Sequence, residues 1–157
     1  MAATLDLLVD ESNGELCGRQ AAMNRLCELL LIHLFRYLMN SESAPTGLLA
    51  GLADKRLAKA ITAIHEQPAE AWTLDRMADA AGMSRARFAA AFRGTVGCTP
   101  GAYLSVWRIN LACKYLRQGK PVAWTADAVG YGSATALARA FRANTGQSPA
   151  EWSKTAD

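Results

Sequence analysis

The sequence contains few of the β-branched residues that favour strands. It has five valines and four isoleucines but 31 alanines among its 157 residues. Alanine is the best helix former, whereas β-branched side chains are enriched in strands. This balance disfavours a β-sandwich, a β-barrel or a doubly wound sheet, and it predicts an all-α protein of one compact domain or two very small ones.

Patterns typical of metal sites, disulfides and active sites are also lacking. The four cysteines are Cys17, Cys27, Cys98 and Cys113. They form no Cys-x-x-Cys pair and have no histidine at metal-ligand spacing, so we expect reduced thiols and no metal. The two histidines are His33, which lies among leucines as an ordinary helix histidine would, and His65. Without a Ser-His-Asp order, a glycine-rich phosphate loop or a close carboxylate pair, the sequence predicts neither a cofactor nor an enzyme.

The sequence shows neither a signal peptide nor a membrane span. Residues 1–11 lack a basic start followed by an apolar core. The most apolar stretch, residues 26–39, contains Glu28, His33 and Arg36, which make it unsuited to crossing a membrane. We therefore expect a cytoplasmic protein.

Acidic residues are almost absent from one long stretch. Residues 80–150 contain nine basic side chains but only one acidic side chain, Asp127, and seven of the nine are arginines. Arginine suits bidentate contacts with phosphate or guanine, and clustered positive charge attracts polyanions. The charge alone leaves a simple solvated surface as an alternative.

A segment of about 25 residues occurs twice in this part of the chain. At an offset of 48 positions, the identical pairs are Ala78 and Ala126, Asp79 and Asp127, Ala80 and Ala128, and Gly82 and Gly130. After one inserted residue, the identical pairs are Ala89 and Ala138, Ala91 and Ala140, Phe92 and Phe141, Arg93 and Arg142, Gly97 and Gly146, and Pro100 and Pro149. The agreement indicates one structural unit used twice.

Each copy has the signals of a helix-turn-helix unit. Thr73 is suited to cap a short helix that ends at Gly82, and the matching helix of the second copy follows Pro121 and ends at Gly130. The expected caps of the second helices are Ser84 and Ser133, and their expected stops are Gly97 and Gly146. The two units are therefore predicted at about residues 73–97 and 122–146.

A long connector helix is predicted between the two units, from Pro100 to about Gln118. A stop glycine and a capping hydroxyl precede it and a proline is its first residue, which is typical of a corner between helices, and Gly119 and Pro121 stop it. At about 1.5 Å per residue the connector spans roughly 28 Å. Adjacent major grooves on one face of DNA lie about 34 Å apart, so the length suits two helices placed one DNA turn apart.

The second helix of each unit is predicted to have a buried stripe and a basic outer face. Phe88 and Phe92 form the stripe in the first copy, and Leu137 and Phe141 form it in the second. In the first copy, the outer face of this helix consists of Ala86, Ala89, Ala90 and Arg93, with Arg85 and Arg87 at its flanks. In the second copy, the outer face of the equivalent helix consists of Thr135, Ala138, Arg139 and Arg142.

Three segments carry a resemblance to a known family. They are AWTLDRMADAAGMSRARFAAAFRGTVGCTPGAYL, VWRINLACKYL and VGYGSATALARAFRANTGQSPAEW. From about Trp72 to Trp152, just over half of the chain, the sequence resembles the DNA-binding domain of the AraC/XylS family of bacterial transcription regulators. In that family, two helix-turn-helix units joined by a long helix insert one helix each into successive major grooves. The resemblance implies a sequence-specific transcription regulator that binds double-stranded DNA.

The resemblance also points to individual residues. The family's base-reading positions on the first recognition helix fall on Ala86, Ala89 and Ala90, and the main position on the second falls on Arg139. Relatives often have Arg, Gln or Trp at the first set, but alanine can still contact a thymine methyl group. The full set of candidate DNA-contacting residues is Arg85, Ala86, Arg87, Ala89, Ala90, Arg93, Ser133, Thr135, Ala138, Arg139 and Arg142.

Residues 1–66 are expected to form a helical linker and dimerisation segment ahead of the DNA-binding domain, residues 67–157. A leucine-rich helix is predicted at 19–40 and a second helix at 54–66, with a loop in SESAPTG between them. The leucine coat must be buried against either the same chain or a second copy. We expect a homodimer through residues 19–65, and RNA polymerase is a further partner that transcription activation would require.

In AraC/XylS relatives with a cupin-like sensor, similar helices follow the sensor barrel and serve as linker and dimerisation surface. A barrel of this kind is absent from the sequence, so we expect either a truncated product or a protein that works without a sensor, and no small-molecule effector site. The alternative interpretation is a helical interaction module or accessory subunit that heterodimerises with a full-length regulator through residues 19–65.

Overall fold

The computed structural model describes residues 2–13, 17–40 and 46–155, and all regular secondary structure within these ranges is helical. The helices are α1 (Ala2–Asn13), α2 (Arg19–Asn40), α3 (Leu48–Ala53), α4 (Lys55–Glu66), α5 (Leu74–Ala80), α6 (Arg85–Val96), α7 (Pro100–Arg117), α8 (Val122–Ala128), α9 (Ala134–Thr145) and α10 (Pro149–Thr155). Helices α5 and α6 form one helix-turn-helix unit, α8 and α9 form the other, and α7 joins them. The predicted all-α architecture is confirmed.

The helix boundaries follow the predicted caps closely. The Thr73 hydroxyl accepts a hydrogen bond from the N–H of Arg76 at 3.2 Å, and the Thr99 hydroxyl accepts one from the N–H of Ala102 at the same distance. Ser133 caps α9 in the same way. Ser84 differs, because it occupies the N-cap position of α6 but its side chain makes no capping hydrogen bond.

Two separate hydrophobic cores lie along the connector α7. The first contains Leu57, Ile61, Ile64, Met77, Phe88, Phe92 and Leu104. The second contains Ile109, Ala112, Leu116, Val129, Leu137 and Phe141. Both predicted stripes are therefore buried. The change from one core to the other occurs between Leu104 and Ile109, near the middle of α7.

Helix α4 packs in the first of these cores. Asp54 caps α4 by accepting hydrogen bonds from the N–H groups of Arg56 and Leu57, so the helix begins where the sequence predicts. Leu57, Ile61 and Ile64 are fully buried with the side chains of α5 and α6. The sequence predicts this helix as part of the linker and dimerisation segment, residues 1–66. In the structure, its apolar side belongs to the core of the first helix-turn-helix unit.

The N-terminal helices α1 and α2 pack against each other, and α2 also contacts α3. Helix α2 confirms the prediction at 19–40, whereas α1 and α3 were not predicted. The leucine coat of α2 is not buried by the described part of the chain, since Leu29, Leu31, Ile32, Leu34, Phe35 and Tyr37 are all exposed. Of the predicted SESAPTG loop, residues 41–45 lie outside the described residues, and Thr46 and Gly47 form a turn.

Among the described helices, none combines the length and the hydropathy needed to cross a membrane.

Candidate nucleic-acid interface

Helix α6 is held in place by a tight turn and two buried phenylalanines. Gly82 in the turn has a φ of 63°, in the left-handed region that glycine adopts without steric penalty. The N–H of Met83 donates to the carbonyl of Ala78 at 2.9 Å and closes the end of α5. Because Phe88 and Phe92 are fully buried on the inner side, the opposite side of α6 faces outward.

The outward side of α6 carries small side chains flanked by arginines. The exposed residues there are Arg85, Ala86, Arg87, Ala90 and Arg93, and Ala89 is half-buried. Arg85 pairs with Asp75, with 3.4 Å between Nη1 and Oδ2. No ion pair is found for Arg87 or Arg93 within the ranges that the structure describes. These two guanidinium groups are available for an anionic partner.

A cavity of about 470 Å³ opens beside α6. Its walls come from α5, α6, the start of α7 and Trp72 just ahead of α5, and the other lining residues include Met77, Ala89, Ala90, Arg93 and Leu104. Small side chains at positions 89 and 90 leave this space open on the side of α6 that carries the candidate residues. The sequence did not indicate the cavity, because its walls come from three helices that are separate along the chain.

Helix α9 repeats the arrangement of α6 in the second unit. The Ser133 hydroxyl accepts a hydrogen bond from the N–H of Ala136 at 3.1 Å, and Leu137 and Phe141 are fully buried. Thr135 and Arg139 are exposed on the opposite side. Ala138 is half-buried beside them, and Arg139 has no ion pair with any described residue.

A capping box at the start of α10 positions Arg142. The N–H of Ser148 donates to Oε2 of Glu151 at 2.7 Å, and the Ser148 hydroxyl accepts from the N–H of Glu151 at 3.2 Å. The hydrogen bonds from Ser148, together with the nearby charge of Arg142, lower the pKa of Glu151. Arg142 lies 3.6 Å from this carboxylate. The spacing of Ser148 and Glu151 is the sequence signal from which this contact could have been found.

All eleven candidate residues therefore lie on the two outward helix sides or at their ends. The structure divides their arginines into two kinds. Arg85 and Arg142 each have a carboxylate partner, whereas Arg87, Arg93 and Arg139 have none among the described residues. Their positions give two similar surfaces, one on each helix-turn-helix unit.

The two histidines of the chain lie on α2 and α4, outside the two helix-turn-helix units. His33 is half-buried on α2, and His65 on α4 stacks against Trp107 with 3.9 Å between ring centroids. Within residues 2–13, 17–40 and 46–155, no group of three His, Cys, Asp or Glu side chains could hold a metal ion.

Comparison with known proteins connects this arrangement to a family. Residues 77–155 match the family described as a helix-turn-helix domain. A protein of Streptomyces antibioticus described as an AraC-like transcription regulator is 44% identical over 131 residues, which cover 82% of this chain and 43% of the relative. One of Streptomyces lividans, described in the same way, is 40% identical over 159 residues, which cover 98% of this chain and 52% of the relative.

The chain thus spans about half the length of these curated relatives. Among solved structures, the DNA-binding domain of AdpA, determined in complex with a target DNA, has a TM-score of 0.60 and 29% sequence identity. The superposition covers 62% of this chain and 89% of that domain.

Proposed function

Since the chain belongs to the AraC family of helix-turn-helix transcription regulators, we propose that it binds double-stranded DNA and places α6 and α9 in successive major grooves. The observation that carries the proposal is the repeated arrangement of the two helices. Each is anchored by a buried apolar pair and presents arginine on its opposite side. The family consists of regulators and not of enzymes, so the proposed activity is binding.

The two surfaces differ in the chemistry that they offer to DNA. Arg139 is exposed at the centre of the outward side of α9, where a planar guanidinium can contact O6 and N7 of guanine. Helix α6 offers methyl groups at Ala86, Ala89 and Ala90, which suit apolar contact with thymine. Arg87 and Arg93 then supply contacts to phosphate or a base edge. We expect the second unit to discriminate bases more sharply than the first.

The DNA-binding unit in this proposal begins at α4 and not at residue 67. Leu57, Ile61 and Ile64 lie in the same core as Phe88 and Phe92. Without α4 these phenylalanines would lose part of their apolar cover, and α6 would lose part of the support that keeps its outer side in position.

The N-terminal helices α1 and α2 form a dimerisation surface in this proposal. Ile32 and Phe35 are each 46% exposed, together with four other large apolar side chains of α2. An apolar surface of this kind is typical of an interface. Action on the chromosome places the protein in the cytoplasm, and activation of transcription would add a contact with RNA polymerase.

The experiment that tests the proposal is selection of binding sites from random duplex DNA at two salt concentrations. We expect two short boxes about one helical turn apart, and the box with the sharper sequence preference should belong to the α9 unit. A protein that contacts about six phosphates loses about 10³-fold in affinity between 50 mM and 200 mM salt. Absence of any enriched sequence would contradict the proposal.

The second candidate function is an accessory subunit that heterodimerises with a full-length regulator through residues 19–65. The exposed apolar side of α2 favours it, because a different protein could cover that side. A hydrophobic partner interface responds only weakly to salt, in contrast to a DNA interface. A salt-resistant complex with a larger regulator, combined with no selected DNA, would favour this function.

A further inference from the structure

We propose that Arg108 and Gly130 lock the two helix-turn-helix units at a fixed angle, and so determine which separation between two DNA boxes the protein accepts. This inference rests on the proposed DNA binding. It assigns a positioning role to a contact between the units, which we call the inter-unit junction: Ala69, Arg108, Gly130 and Tyr131. None of these residues is among the candidate DNA-contacting residues.

Arg108 contacts both units from the middle of the connector. It lies on α7 between Leu104 of the first core and Ile109 of the second. Its Nε donates to the carbonyl of Pro68 at 2.9 Å, and its Nη2 donates to the carbonyl of Glu70 at 2.8 Å. The loop that precedes α5 is thereby fixed to the connector by one side chain with two hydrogen bonds.

The same guanidinium reaches the turn of the second unit. It lies over the ring of Tyr131, with 5.7 Å from Cζ to the ring centroid. Cation–π contact and the two carbonyl hydrogen bonds use different parts of the planar group, so they can form together. Arg108 therefore joins the loop at residues 67–70 to the turn at Gly130 and Tyr131.

Gly130 lets the two units approach at the backbone level. A Cβ atom added to Gly130 would lie 2.6 Å from Nη2 of Arg108, 2.7 Å from the carbonyl oxygen of Ala69 and 2.8 Å from the Cα of Ala69. Contacts below 3.0 Å with backbone atoms require the backbone itself to move. Any larger side chain at this position would thus push the second unit away from the loop of the first.

The repeat supplies an internal control for this role. Gly82 occupies the equivalent position in the first unit, 48 residues earlier. It also has a left-handed φ, 63° against 79° for Gly130, but a Cβ added there would meet nothing within 4 Å. Substituting either glycine by alanine therefore introduces similar backbone strain, and only the substitution at Gly130 disturbs the inter-unit junction.

A fixed angle between two binding units has a measurable consequence for DNA. Linked modules gain most when the linker matches the separation of their sites, and the gain reaches about 10²-fold or more. Each base pair inserted between two boxes rotates one box against the other by roughly 35°. A rigid junction should reject that rotation, whereas a loosened junction should tolerate it.

The test compares the full chain with the variants Gly130→Ala, Gly82→Ala and Arg108→Gln on defined duplexes. The duplexes carry the two selected boxes at the selected separation, or with one or two base pairs added or removed, or carry a single box. We expect the unmodified chain to lose about tenfold or more in affinity when the separation changes by two base pairs. Gly130→Ala and Arg108→Gln should reduce this loss to about threefold or less, while single-box affinities stay within about twofold.

The outcomes separate this inference from the proposed function. If Gly130→Ala and Arg108→Gln keep the separation preference of the unmodified chain, the junction does not set the angle, although DNA binding stands. If Gly82→Ala flattens the preference as much as Gly130→Ala does, the effect belongs to turn strain and the inference is wrong. Should Gly130→Ala lose single-box binding because its unit is unfolded, Arg108→Gln decides the result alone. Failure of the unmodified chain to bind DNA would overturn both proposals.

Discussion

His65 on α4 and Tyr103 on α7 share a hydrogen bond, with 2.5 Å between Nε2 and the hydroxyl oxygen. The imidazole ring also stacks on Trp107, and the ring of Tyr103 packs edge-on against Phe92 at 5.5 Å. This pair therefore ties α4 and the connector to the buried side of α6. Burial raises the pKa of Tyr103 to about 12 and lowers the pKa of His65 below its ordinary value of 6.5.

The lowered pKa of His65 predicts a loss of stability in mild acid. As the pH falls through 6.5, the unfolded chain takes up a proton at His65 before the folded chain does. Above that pH, protonation of His65 should not change the free energy of unfolding. Below that pH the free energy of unfolding should decrease, and it should level off once the folded chain is also protonated at His65. Urea unfolding followed by circular dichroism at several pH values between about 5 and 8 measures this dependence.

The variant His65→Phe keeps a stacking ring but cannot titrate. Its free energy of unfolding should fall less than that of the unmodified chain over the same pH range. His33→Gln, which removes the chain's other histidine, serves as the control and should retain the full pH dependence. An identical pH dependence in His65→Phe would show that another group is responsible.

Replacement of Thr125 by an apolar side chain should increase the stability of the protein. Its side chain is fully buried in α8, and Oγ1 has no hydrogen-bond partner among the described residues. The equivalent position of the first unit is the apolar Met77, so the site does not require a hydroxyl. Thr125→Val should raise the free energy of unfolding by about 1 kcal/mol, because a buried unpaired polar group is removed at nearly constant shape.

A second threonine provides the matched comparison for this prediction. The Thr73 hydroxyl caps α5, and Thr73→Val should lower the free energy of unfolding by about 1 kcal/mol. Urea unfolding of both variants measures the two changes side by side. If Thr125→Val is as destabilising as Thr73→Val, then the Thr125 hydroxyl has a stabilising contact after all.

Local sequence signals predicted the C-terminal helices well. Thr73, Thr99 and Ser133 mark helix starts through hydrogen bonds to N–H groups only a few residues away, and left-handed glycines mark the helix ends. Such signals depend on nearest neighbours along the chain. The repeat then reinforced the helix ends, because the stop glycines Gly82 and Gly97 recur as Gly130 and Gly146, whereas Pro121 stands at the position equivalent to Thr73.

Contacts between distant residues were beyond the reach of these signals. Arg108 bonds carbonyls 40 and 38 residues earlier in the chain, and nothing near it in the sequence indicates this. Helix α3 was missed for a similar reason. It is short and contains Gly51, which fits because a Cβ there would lie 2.8 Å from both Ile61 and Val96. Tertiary packing stabilises this helix, and its local sequence does not predict it.

The exposed side of α2 predicts self-association that one charge should disrupt. Phe35 is 46% exposed among other large apolar side chains. Burial of such a residue in an interface contributes about 1.5–3 kcal/mol, and a buried unpaired carboxylate would oppose association further. Sedimentation velocity should show a dimer for the unmodified chain and a monomer for Phe35→Glu.

Gln20→Glu, at an exposed position of the same helix, is the control for added charge and should remain dimeric. A Phe35→Glu protein that sediments as a dimer would place the contact elsewhere. If the unmodified chain is monomeric at high concentration, the surface has a different partner, as the accessory-subunit function requires.

Substitution of Arg139 should weaken DNA recognition at a single base position. Loss of a bidentate contact with guanine costs about 1–3 kcal/mol at that position, so Arg139→Ala should bind the selected site more weakly and accept other bases there.

Arg139→Lys keeps the charge but not the planar pair of donors, and it should also relax the base choice. Arg36→Ala, at an exposed arginine of α2 that belongs to neither helix-turn-helix unit, removes the same charge and should leave base choice unchanged. Competition binding against the four single-base variants of the site measures each case. An equal loss of affinity on all four sequences would identify Arg139 as a phosphate contact and contradict base reading by α9 through this residue.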